Sequence, residues 1–177
     1  MTDQALPVDT VVPELLTALG NHRTAVLQAP PGTGKTTRVP PALLGASWLG
    51  DRRVVLLEPR RVAARAAAER MARQRGERVG ATIGLRTRFD TRTSSATRVE
   101  VVTEGVLTQM LLRDPGLGDV GCVVFDEFHE RNIHADTALA FARETASVLR
   151  TDLRLLVMSA TLDAGDLGRR LSTPAVI

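Results

Sequence analysis

The chain has 177 residues, 44% hydrophobic and 24% charged, with a formal net charge of +3. Those proportions suit one soluble globular domain with a substantial core, and the charge balance alone does not establish a nucleic-acid binder. The single cysteine, Cys122, excludes an internal disulfide framework and a cysteine-ligated zinc site. Cys122 sits in an apolar run, which fits a buried core thiol better than a nucleophile. No apolar run approaches the ~20 residues of a membrane span, and residues 1 to 9 lack a signal peptide's basic and apolar regions, so the default expectation is a cytoplasmic protein.

In chain order, residues 9 to 20 read as a short helix capped by Asp9 or Thr10, with Leu15, Leu16 and Leu19 on its apolar face and Gly20 as its stop. Residues 23 to 28 form the first core strand. The stretch Ala29-Pro30-Pro31-Gly32-Thr33-Gly34-Lys35-Thr36-Thr37 follows, and a helix ends near Pro40-Pro41. Residues 53 to 57 are the next strand. Pro59 opens an alanine-rich helix to about Gln74. Residues 82 to 89 and 98 to 103 alternate enough to be strands, with the Ser/Thr-rich stretch 91 to 97 as the turn of a hairpin. Residues 104 to 113 are helical and broken by Asp114-Pro115-Gly116. Residues 121 to 125 are a third buried strand, 135 to 150 a long helix, and 153 to 158 a further strand. A last helix follows, and Ala175-Val176-Ile177 starts another strand. Apolar strands alternating with helices predict a mainly parallel sheet covered on both faces, with ligands at the carboxyl ends of the strands. The phosphate-loop stretch, Glu58-Pro59-Arg60-Arg61, Asp126-Glu127 and Ser159-Ala160-Thr161 all lie at such ends. A chain that stops as a strand begins is expected to be the N-terminal piece of a longer protein.

The stretch 29 to 37 fits the phosphate-binding loop G-x-x-x-x-G-K-[ST] at every fixed position except the first, where Ala29 replaces glycine. A Gly/Pro-rich turn is the plainer alternative, but the strand before and the helix after are what the motif needs. Gly32 and Gly34 allow backbone N–H groups to face inward as a nest for anionic oxygens, with Pro31, Thr33 and Thr37 completing the loop. The helix start adds partial positive charge. Lys35, the only lysine beside 22 arginines, can reach terminal phosphates, and the Thr36 hydroxyl can hold Mg²⁺. Asp126 follows four apolar strand residues and is a second candidate metal ligand. Glu127, one residue on, can share that ion or face an attacking water as general base.

Around that pair the sequence is Asp126-Glu127-Phe128-His129-Glu130-Arg131. It resembles the D-E-x-H-E-R box of the DEAH/RHA group of superfamily 2 helicases. Phe128 stands where most of the group has alanine and, with A-P-P-G-x-G-K-T-T, is similar to the bacterial HrpB-type branch. Glu58-Pro59-Arg60-Arg61-Val62-Ala63-Ala64 resembles motif Ia, Thr103-Glu104-Gly105 motif Ib (with Glu for the commoner Asp), and Ser159-Ala160-Thr161 motif III. The resemblance runs over roughly residues 9 to 177.

It implies the first of two RecA-like domains, with ATP and Mg²⁺ between them and single-stranded nucleic acid, RNA favoured over DNA, across both. The second domain's motifs and arginine fingers are absent from these residues. The resemblance implies that His129, Ser159 and Thr161 couple the phosphate site to movement, and that Arg70 stacks on the adenine; a satisfied histidine, a strand-to-helix cap and a surface arginine are the plainer readings. Arg60 and Arg61 oppose a helix macrodipole, which makes sense if anions bind there; Thr103 and Gly105 can hold further strand phosphates. Arg86, Arg88, Arg92 and Arg98 fit either a second nucleic-acid contact or a charged sheet edge. The aromatic residues show no interleaved basic pattern, which favours backbone tracking over base stacking. Two other readings stay open: another P-loop ATPase motor, or a binding module that does not turn over.

Overall fold

The computed structural model describes residues 5–130, 132–160 and 164–177. After a 3₁₀ turn at Pro7–Thr10, the elements are α1 (Val12–His22), β1 (Thr24–Gln28), α2 (Lys35–Leu43), β2 (Arg53–Leu57), α3 (Arg61–Gln74), β3 (Ile83–Arg86), β4 (Thr91–Arg92) and β5 (Val99–Val102). There follow α4 (Glu104–Arg113), β6 (Val120–Phe125), a 3₁₀ turn at Phe128–Glu130, α5 (Ile133–Glu144) continued by a π turn at Thr145–Leu149, β7 (Arg154–Ser159) and α6 (Ala164–Leu171). The strands form one sheet in the order β1-β7-β6-β2-β5-β3-β4. Every pairing among them is parallel except β3 with β4.

The apolar runs are long because the parallel strands bury both faces. Val54 and Leu56 join the layer under α1, α2 and α3, with Leu15, Leu19, Val39, Leu43, Ala64 and Met71. Val55 and Leu57 join the layer under α4, α5 and α6, with Leu107, Leu111, Ala138, Ala142, Leu167 and Leu171. Alanines at 64, 67, 68 and 72 let α3 lie close to the sheet. Cys122 is fully buried and burial pushes its thiol up, as a core cysteine requires. Val176 bridges Val26 in parallel, so the last residues extend the sheet beyond β1.

Four expectations need correction. Gly20 does not stop α1; it lies against the indole of Trp48, where an added Cβ would sit 3.5 Å from the ring, and the helix ends at Arg23, whose φ is 63°. The α1 cap is Val11, not Asp9 or Thr10, because Pro7–Thr10 forms its own 3₁₀ turn. Pro40 and Pro41 lie inside α2, which is short enough to tolerate them and continues to Leu43. Most consequentially, residues 82–89 and 98–103 are not a hairpin: β3 pairs with β5 in parallel, and the reversal is the tight β3–β4 turn. Alternation in sequence reports burial, not strand direction.

The β3–β5 edge holds a charge that the apolar pattern hides. Glu100, completely buried, is paired with Arg53 and lies 2.6 Å from Arg86 Nε. Arg53 also reaches Asp119 at 2.5 Å. Removing the acid would leave two guanidinium groups without their shared partner. Glu100→Ala is expected to destabilise the protein by roughly 2–4 kcal/mol, at the lower part of the buried-pair range because both arginines reach solvent. Urea unfolding of the variant beside wild type checks this, and a loss below ~1 kcal/mol would show the pairs to be incidental.

Candidate functional site

The sheet register assembles the site. Leu57 pairs with Phe125 across β2 and β6, so Glu58 and Asp126 emerge side by side. Gln28 pairs with Ser159 across β1 and β7, and the Ala29 N–H donates to the Ser159 carbonyl at 3.0 Å, tying the loop entrance to the end of β7. All of these are carboxyl ends of parallel strands.

The phosphate loop has the backbone its glycines allow. Gly32 and Gly34 have φ of 79° and 94°, conformations that side chains with a Cβ rarely adopt. A Cβ on Gly34 would also meet Leu6 at 2.5 Å. Ala29, the departure from the motif, is not among the described residues with positive φ, so alanine is compatible there. Thr33 donates from Oγ1 to the Pro30 carbonyl at 2.8 Å and accepts at its own carbonyl from the Val8 N–H at 3.2 Å, which packs the N-terminal turn on the loop.

Lys35, 4% exposed, places Nζ 2.8 Å from Glu127 Oε1. The Thr36 hydroxyl donates to Asp126 Oδ2, and the Glu127 N–H donates to Asp126 Oδ1 at 2.8 Å. Thus Lys35, Thr36, Asp126 and Glu127 meet across 90 residues of sequence. Asp126 is 3% exposed, and desolvation pushes its carboxyl above the usual carboxylate range against the Thr36 and backbone hydrogen bonds. A buried carboxylate and a hydroxyl are hard oxygen donors of the kind Mg²⁺ takes. Among the described residues no group of three or more His, Cys, Asp and Glu could hold a metal alone, so remaining ligands would come from phosphate and water.

Glu127 has φ of 48°, a left-handed backbone uncommon outside glycine, and it turns the side chain towards Lys35 while Asp126 faces Thr36. His129 accepts from the Ala160 N–H at Nδ1, 3.3 Å away, which leaves its ring proton on Nε2, 3.3 Å from Glu127 Oε2. One link from this turn to the end of β7 is thus the Ala160 N–H, next to Ser159, which is itself fully buried. Thr161 lies outside the described residues.

A cavity of about 390 Å³ opens beside these groups, lined by Thr36, Thr37, Glu58, Arg60, Arg70 and Glu127 among others. Arg70, exposed on α3, shares it with the phosphate-loop threonines. Pro31 sits in the loop turn before Gly32 and is exposed. Arg60 extends out to Glu130, 2.5 Å away. Arg61 stands over the Phe89 ring at 5.8 Å and Arg88 over the same ring at 5.2 Å. Phe89 is 77% exposed, so a basic-aromatic cluster exists that the sequence pattern did not suggest. Thr103 caps α4, and Gly105, with open space where a Cβ would stand, lines a second cavity of about 730 Å³ with Arg86, Arg88 and Arg113. The four arginines grouped by sequence do not act as one patch. Arg92 is held by Asp90, Arg98 by the Gly50 and Arg52 carbonyls, and Arg86 by Glu100.

Sequence reasoning quoted Glu58 only as part of a motif. It is 3% exposed, accepts a hydrogen bond from the Arg60 N–H, and is pushed up to about 8 by burial and then by Asp126. The signal available was its position, one residue past a fully apolar strand.

That shift has a sign. A carboxyl that ionises near 4.5 unfolded and near 8 folded keeps its proton in the native state while the unfolded chain loses it, so its contribution falls as pH rises from about 4.5 to 8. Glu58→Gln should flatten stability over that window and make the protein more stable than wild type at pH 8, by on the order of a few kcal/mol. Denaturant midpoints at pH 5, 6.5 and 8 test it; parallel wild-type and variant profiles would show that Glu58 ionises normally.

With this geometry in place, the comparisons with known proteins are direct. The DEAD/DEAH box helicase family model matches residues 9–167. The ATP-dependent RNA helicase HrpB of Escherichia coli (strain K12) is 49% identical over 173 residues, 98% of this chain and 21% of that protein. The probable ATP-dependent RNA helicase DHX35 of Homo sapiens is 39% identical over 163 residues, 91% of this chain and 23% of that protein. The crystal structure of the E. coli DExH-box NTPase HrpB superposes with a TM-score of 0.94 at 48% identity, over 100% of this chain and 22% of that one. The chain thus spans about a fifth of the length of the curated relatives it matches. No helix among the described residues is long and apolar enough to cross a membrane.

Proposed function

Because the chain belongs to the DEAD/DEAH box helicase family, we propose that it is the first RecA-like domain of a longer, cytoplasmic ATP-dependent helicase. It binds ATP with Mg²⁺ and single-stranded nucleic acid, RNA in preference to DNA, and ATP hydrolysis drives movement along the strand. The observation that carries this reading is the meeting of Lys35, Thr36, Asp126 and Glu127 from two loops at the carboxyl ends of β1 and β6, the strands on either side of β7.

The chemistry is attack of water on the γ-phosphate. The N–H groups of the loop from Pro31 to Thr37 and the Lys35 ammonium hold the β- and γ-phosphates, which compete with Glu127 for Lys35. Thr36 and Asp126, with Glu127 close by, would hold Mg²⁺, which would supply charge neutralisation for phosphoryl transfer. Glu127 orients the water and takes its proton. Arg70 lies against the adenine. Arg60, Arg61, Thr103 and Gly105 take strand phosphates, contacts that hold without reading bases. His129, Ser159 and Thr161 carry the state of the phosphate site to a second RecA-like domain, which supplies the arginine fingers. Without that second wall these residues hydrolyse slowly or not at all, since an arginine finger is worth about 10³–10⁵ in rate. The RNA preference is supported by the RNA helicase names of the relatives.

ATP turnover of the full-length protein, with and without single-stranded RNA or DNA, tests this. RNA is expected to stimulate more than DNA. Glu127→Gln should lose about 10²-fold or more in kcat while still binding ATP, and Lys35→Ala should lose nucleotide binding as well. Turnover indifferent to both nucleic acids would overturn the helicase reading.

A further inference from the structure

The turn that follows Glu127 is held at three places. Phe128 is buried edge-on against Phe125, with ring centroids 6.4 Å apart. His129 receives the Ala160 N–H. Glu130, whose N–H is bonded to the Glu127 carbonyl at 2.9 Å, ends in a carboxylate 2.5 Å from Arg60 Nη2. Glu127 and Glu130, at the two ends of one turn, are therefore each held by a cation: Lys35, where the γ-phosphate belongs, and Arg60, where a strand phosphate belongs.

The surroundings make the outer pair replaceable. Glu130 stands with Glu58 and Glu127 around one cavity, and both Asp126 and Glu130 act electrostatically on Glu58. Arg60 offsets that crowding of like charge. Its side chain is 70% exposed, so the pair is solvent-screened and individually weak. An incoming phosphate diester can compete for the same guanidinium by the same fork of hydrogen bonds. Once Arg60 is taken, Glu130 loses its ion-pair partner while Glu58 and Glu127 still crowd it, and repulsion moves it and the turn behind it. Glu127, already in a left-handed backbone with φ of 48°, is the next residue to respond.

We infer that the Arg60–Glu130 ion pair is a latch: a strand phosphate that takes Arg60 releases Glu130, and the freed turn lets Glu127 leave Lys35 for the attacking water. Glu130 is a positioning residue in this scheme, acting on the reaction through Glu127. The inference rests on the helicase reading and names how nucleic acid regulates that same site.

The test is ATP turnover by the full-length protein as wild type, Glu130→Gln, Arg60→Gln and the double variant, with the Kd for a fluorescein-labelled oligouridylate measured alongside. Glu130→Gln should raise RNA-free turnover about 2- to 5-fold, the range an exposed ion pair supports, lower the stimulation ratio by the same factor, and tighten oligouridylate binding. Arg60→Gln should also raise RNA-free turnover but weaken binding, and the double variant should match Arg60→Gln. A merely structural Glu130 would lower turnover without tightening binding, and that result overturns the latch. If Glu130→Gln does not fold, Arg60→Gln decides: unchanged or lower RNA-free turnover overturns it. A wild type stimulated by RNA whose ratio is unchanged in Glu130→Gln overturns the latch alone; a wild type indifferent to RNA and DNA overturns the helicase reading and the latch together.

Discussion

Lys35 is the one lysine or arginine buried among the described residues, and it is paired with Glu127 beside the buried Asp126. Its 2.8 Å contact with Glu127 sets the electrostatic terms of the site. A buried ammonium without a partner is costly, and so are buried carboxylates without one. The pair satisfies both while leaving each able to exchange. A polyphosphate offers Lys35 more negative charge than Glu127 does, so an anion of that kind can displace the carboxylate. The carboxyls of Glu58 and Asp126 are raised first by burial and then by neighbouring acids, a local shortage of water and of counter-charge.

That shortage is produced by the fold. Parallel pairing of β2 with β6 places Glu58 beside Asp126, and no shift of one residue would keep both at the edge of the core, because every neighbouring strand position is apolar on both faces. The cost of crowding acids there is met by the hydrophobic strands beneath, which bury both layers of the domain. Local destabilisation at a site built on a stiff sheet is the usual arrangement for groups that must change partners.

Much of this was legible from the residues. The strand from Arg53 to Leu57 and the helices from Arg61 to Gln74 and from Glu104 to Arg113 are where apolar periodicity puts them. The meeting of the phosphate loop with Asp126 follows from the rule that parallel strands collect ligand residues at one edge. The direction of β5 was not legible, since Val99 to Val102 is buried throughout and has no polar face to orient it. Glu100 was invisible for a related reason: a charge inside an apolar strand reads as an outward-facing residue until its partners Arg53 and Arg86, far apart in sequence, are seen beside it. Phe89 failed as a pattern because its two arginines come from different segments, Arg88 adjacent in sequence and Arg61 from α3.

Glu130 shows the limit of motif reading most clearly. In sequence it is the fifth letter of a box, three residues beyond Glu127, and a solvated acid by default. In the structure it is paired with Arg60, 70 residues away, and its turn leads back to Glu127. The turn joining them is short and pinned by Phe128, so a displacement at one end cannot be absorbed along its length and must appear at the other. His129 reads the same turn from the side of β7. One three-residue turn thus joins Lys35 through Glu127, Arg60 through Glu130 and the end of β7 through His129, with ion pairs weak enough to exchange and Phe128 packed on Phe125 to hold it.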